Sequence, residues 1–229
     1  MYRIVLIMSL LLSMMSNYEV VENTSVVIET DSGPSISAQV DTDIWQNDIL
    51  DGIAGQSGSV LSASEQYVYD IAISVLNILI NEDWGALGAM VHPEQGLTFS
   101  PYAYIDTKTA VRLGAGDVKA LGIDDKVREW GHYDGSGDPI EMPFAEYCAR
   151  FILTHDFVRA LHIGVNRLVK VGNTLSNLQV LGNGVVFVEY HVPGSEAAGL
   201  FDWASLRLVF SGYEGDLYLV GIVHDQWTV

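Results

Sequence analysis

The chain reads as α+β, with amphipathic helices first and a run of long antiparallel strands after them. Two observations predict this. Residues 62–91 repeat apolar side chains at helical spacing behind two clear N-terminal caps. From Val185 onward the chain turns to β-branched and aromatic runs, broken by glycine turns. The whole has 229 residues, 49% of them hydrophobic, which suits one globular domain with a sizeable core behind an N-terminal leader.

The leader comes first. Met1-Tyr2-Arg3 places one positive charge before the apolar run Ile4 to Met15, too short to span a bilayer comfortably. That pattern predicts a signal peptide or N-terminal anchor over residues 1–16. Residues 17–61 are acidic and rich in Ser, Thr, Gly and Asp, and read as a flexible linker. A single α+β domain is expected over residues 62–229.

Within that domain, Ser62-Ala63-Ser64-Glu65 is a capping box. Val68, Ile71, Ala72, Val75, Leu76 and Leu79 then give a helix running to about Asn81. Asp83 caps a short second helix through Trp84, Leu87 and Met90, which His92-Pro93 ends. Gly96 to Ile105 reads as one strand bent at Pro101. Asp106 to Glu129 reads as irregular with a short helix. The turn Asp134-Gly135-Ser136-Gly137-Asp138 follows Trp130 to Tyr133. Pro143 to Leu153 is expected to be a third helix and Val158 to Val169 a strand. Val185 to Val192 is a strand, and Asp202 to Phe210 pairs with Val220 to Trp227 across the turn at Gly212 to Asp216.

Charge and composition exclude several functions. Eleven basic against 29 acidic residues give a formal charge of -18, which repels phosphate backbones and anionic membrane surfaces. No nucleic acid is expected as partner, and no membrane beyond a possible N-terminal anchor. Cys148 is the one cysteine, so no intrachain disulfide forms; among Phe144, Tyr147, Phe151 and Ile152 it reads as a buried small hydrophobe. There is no phosphate loop, dinucleotide fingerprint, nucleophile elbow around Ser205 or zinc spacing. Asp134 to Asp138 spaces oxygens as a calcium loop does, but Pro139 and Ala145 occupy the places where glycine and glutamate are required. Neither cofactor nor metal is expected.

The candidate site residues gather at strand and helix ends. His224 and Asp225 are neighbours on a strand, so they face opposite ways; His224 shares a face with Gln226, and Asp225 with Trp227. His224 is the candidate general base, with His92 and Tyr102 as further candidates for catalysis. Trp84, Tyr102, Arg207 and Gln226 are candidates for ligand binding. Arg207 is expected to pair with Glu189 across the sheet, on the surface; turned inward it would anchor a ligand carboxylate. His155, Asp156 and His162 read as structural.

The element order, with its Trp-led short second helix and long final strands, resembles the cone-shaped nuclear transport factor 2-like domain. Four segments carry a closer resemblance: Val91 to Tyr102, Trp130 to Gly137, Asp202 to Phe210 and Val223 to Trp227. Together they resemble a family of uncharacterised exported bacterial proteins, found mainly in Gram-positive bacteria and often lipid-anchored. This chain lacks the cysteine that such an anchor needs. The resemblance implies an exported, cell-surface or periplasmic domain. The expected role is non-catalytic binding of an unknown small molecule or surface protein. The alternative is a small-molecule hydrolase or isomerase that uses a cone cavity, with His224 as base.

Overall fold

A computed structural model describes residues 61–228. The expected leader and nearly all of the expected linker lie outside these residues.

Helix α1 (Ala63–Ile80) starts where the sequence places it. The Ser62 amide donates to Glu65 at 2.9 Å, and the Glu65 amide donates back to the Ser62 hydroxyl at 3.3 Å. Ala72, Val75, Leu76 and Leu79 are buried along one face. Asp83 accepts the Ala86 amide to cap α2 (Trp84–Met90). Then come strands β1 (Leu97–Ser100) and β2 (Val111–Leu113), and a short helix α3 (Ala115–Ala120). The hairpin β3 (Arg128–His132) and β4 (Pro139–Met142) forms a sheet of its own. After α4 (Phe144–Tyr147) come β5 (His162–Val165), β6 (Val186–Val192), β7 (Ala204–Tyr213) and β8 (Asp216–Gln226).

The main sheet has six strands in the order β2-β1-β8-β7-β6-β5. All its neighbours are antiparallel except β1 and β8, which run parallel with Phe99 opposite Ile222. The architecture is α+β, with helices packed against a curved, mostly antiparallel sheet. The inner face carries Val188, Tyr190, Leu206, Leu208 and Ile222 into one apolar core with α1. Phe99, Trp130, Phe144, Tyr147 and Phe151 fill the far end of that core; Trp130 stacks on Tyr147 with centroids 4.1 Å apart. On the outer face, Ile105, Leu178, Leu181, Val209, Val220 and Val223 make a second, smaller cluster.

Four local expectations need correction. The strand after Gly96 ends at Ser100 rather than continuing through Pro101. Proline has no amide to donate to a ladder, and the Ser100 hydroxyl donates instead to the Tyr102 carbonyl at 2.8 Å. The segment read as irregular contains β2, whose three residues are too few to show alternation. The third helix is α-helical only over Phe144–Tyr147 and then opens into a π turn over Cys148–Ile152. The expected strand Val158 to Val169 is a 3₁₀ turn (Phe157–Arg159) followed by the short β5. It stops at Asn166, whose φ of 51° turns the chain out of the strand.

Candidate functional site

The register sorts the last strand's polar residues onto two faces, as alternation requires. Tyr190, Leu206 and His224 lie in one row across β6, β7 and β8, and all face inward. His224 is fully buried. Its Nδ1 lies 3.1 Å from the Pro101 carbonyl, which can only accept, so Nδ1 carries the proton and Nε2 the lone pair. Nε2 has no hydrogen-bond partner among the described residues, and the Phe151 ring sits edge-on at 6.0 Å. Burial pushes the imidazole pKa down to about 4, so it is neutral at pH 7.

The other candidates do not converge on it. His92 lies beside Leu219, five residues down β8 from His224, or about 17 Å along the strand. There its Nδ1 accepts the Glu94 and Gln95 amides at 3.2 and 3.1 Å, and so closes the turn after α2. Tyr102 is buried, its ring set edge-on to Phe151 with centroids 6.0 Å apart. Burial raises its phenol pKa, and a bond from the Asp134 backbone works against that rise. Trp84 packs edge-on against Phe144 at 4.9 Å and closes over Gly122. Gln226 is half-buried at the end of β8, opposite Ala204. Cys148 is buried, and burial pushes its thiol up to about 12.

Arg207 pairs with Glu189 directly across β6 and β7, as expected, but the expectation of a surface pair is corrected. Both side chains are fully buried, on the outer face of the sheet. Arg207 Nε donates to Glu189 at 3.1 Å, and Nη2 donates to Asp225 at 2.8 Å and to the Lys170 carbonyl at 3.0 Å. The physical reason for burial is a cover that neither strand encodes. Residues 167–176 cross this face, and Glu189 accepts the Val169 and Lys170 amides at 3.1 and 3.2 Å. His191 and Ser205 extend the same polar row, 2.9 Å apart. Burial holds the His191 pKa down at about 4 and raises that of Asp225. The row is therefore Glu189, His191, Ser205, Arg207 and Asp225. Its sequence signal is polar residues at i and i+2 on adjacent strands, which is readable only once the register is known.

The surface offers a different feature. A groove of about 520 Å³ opens beside the C-terminal half of α1, lined by Leu76, Ile80, Leu153, Phe157 and Val158 with Asp156 and Arg159 among its polar members. His155 also lines it, and its Nε2 donates to the Asp202 carbonyl at 2.9 Å. That bond joins the groove to the β6–β7 loop, where Leu200 and Phe201 are each 58% exposed. Phe201 packs on Trp227 at 4.8 Å. Asn173 donates to the Thr228 carbonyl at 2.8 Å, which brings exposed Val171 to the same end of the sheet.

No family model matches the chain, and no curated protein matches it significantly. Among solved structures, the chain is similar to Aln2 from a Streptomyces species, at 12% identity and a TM-score of 0.34, over 73% of this chain and 94% of that one.

Proposed function

We propose that this chain is an exported, non-catalytic binding module of the cell surface or periplasm, and that it binds through the groove and the apolar end of the sheet. The observation that carries the reading is a set of exposed apolar side chains brought into one region. Ile80 in the groove, then Leu200, Phe201 and Trp227, are linked through the His155–Asp202 bond. Contiguous exposed apolar surface rimmed by polar groups is the usual mark of an interaction site. The partner is a small apolar molecule or the apolar face of a surface protein. The basic-then-apolar start of the chain supports export. Among the described residues no helix is long and apolar enough to cross a membrane.

The alternative of a hydrolase or isomerase needs His224 to meet substrate. His224 has a lone pair free to act as a base, but aromatic and aliphatic side chains surround it, and it is not part of the groove lining. A thermal-shift screen of the full chain against metabolites and surface glycopeptides separates the two readings. The binding reading predicts stabilising ligands whose effect is lost in Ile80→Asp and Phe201→Asp and kept in His224→Ala. A response lost in His224→Ala at nearly unchanged stability would instead establish the interior as the site.

A further inference from the structure

The groove lies beside the last turns of α1, the helix on which the described chain begins. Val75, Leu76 and Leu79 on that helix are fully buried, yet Ile80, which lines the groove, is 45% exposed. Leu153, Phe157 and Val158 continue the apolar lining. Charge selects little here. Arg159 already lies 3.6 Å from Asp156, and His155 is spent on the Asp202 carbonyl. The groove therefore offers chiefly apolar contact, in a volume of about 520 Å³ that suits a few large side chains. Grooves of this kind take amphipathic segments whose apolar anchors recur three or four residues apart.

The chain carries such a segment upstream of α1. Trp45 and Ile49 stand four residues apart, with Leu50 beside them and polar Asn47 and Asp48 between. Asp43-Ile44-Trp45-Gln46 in front of them has the acid-to-Gln spacing that marks a helix start. We propose that residues 45–50 dock into the groove of their own chain, with Trp45 and Ile49 against Ile80 and Phe157, so that an outside partner must displace them. The proposal rests on the groove being the binding surface, as argued above. Its reach is sufficient. The 18 residues of α1 span about 27 Å, and residues 51–60 extend to about 33 Å at most. A segment held on so short a tether acts at an effective concentration on the order of millimolar, above that of a second copy or a dilute partner. Residues 45–50 lie beyond the expected leader over residues 1–16, so an exported chain keeps them.

Amide chemical shifts of the isotope-labelled full chain test this, compared with a variant combining Trp45→Ser, Ile49→Ser and Leu50→Ser. The Ile80, Leu153 and Phe157 amides are expected to differ between the two chains, while Leu206 and Leu208 on β7 stay in place and report an intact fold. Ile80→Asp is the reciprocal variant and should move the Trp45 indole signal. With its competitor removed, the groove of the triple variant should bind 8-anilinonaphthalene-1-sulfonate about ten-fold more tightly. Identical groove shifts in the two chains overturn the proposal. So do differences that appear only as protein concentration is raised, because a second copy then supplies the segment. The dye separates this outcome from the function itself. Groove shifts that differ between the chains, with no dye bound in either, uphold the docking and count against the binding surface. Equal dye binding at the groove of both chains upholds the binding surface and counts against the docking.

Discussion

At the residue scale, buried polar groups dominate. Arg207 is enclosed with two carboxylates and one carbonyl in a row that water does not reach. Removing one member of such a network leaves the others charged, buried and unpaired. Arg207→Met should therefore cost about 3–5 kcal/mol in urea unfolding, far more than a surface pair. His224 makes the complementary prediction with pH. Its pKa falls from 6.5 to about 4 on folding, so the unfolded chain binds the extra proton. Its stabilising contribution is complete above pH 6.5 and is lost as pH falls through about 4, a change of about 3 kcal/mol in unfolding free energy. Asp225 has a raised pKa and works in the opposite sense, so acid relieves part of its cost. Urea unfolding between pH 7 and pH 4 checks both, and His224→Phe should flatten the acid limb.

At the element scale, local chemistry explains what the sequence made legible. The capping box at Ser62, the Asp83 cap, the Asp134 turn and the last three strands stand where their motifs put them, because each signal lies within a few residues of its effect. Ser62→Ala should cost about 1 kcal/mol, read as a drop in melting temperature. The facing of His224 and Gln226 away from Asp225 also followed from alternation alone. What escaped depends on distant partners. The burial of Arg207 needs residues 167–176, about 30–40 positions away, to fold back over β7. The early end of β5 is local instead: Asn166 turns the chain at a φ of 51°, and Gly164 sits where a Cβ would lie 2.2 Å from the Arg167 carbonyl oxygen. Gly164→Ala should force that turn apart and cost about 1–3 kcal/mol by overpacking. The parallel pairing of β1 with β8 is equally unreadable from alternation, which carries no strand direction.

At the scale of the whole molecule, the two faces of the sheet divide the work. The inner face is packed with rings and closes around His224 and Tyr190. The outer face is covered by residues 167–176, while the groove opens on the α1 side, with exposed apolar side chains at the neighbouring β6–β7 loop. Recognition at the groove and the exposed apolar side chains near it, and not in the interior, is the central claim. The most direct test is a titration of the isotope-labelled full chain with 8-anilinonaphthalene-1-sulfonate at pH 7, followed by amide chemical shifts. Binding at the groove and these side chains predicts perturbations at Ile80, Leu153 and Phe157 and at Phe201 and Trp227, with Tyr190 and His224 unmoved. Shifts centred on Tyr190, Leu206 and His224, with the groove and Phe201 unaffected, would contradict it.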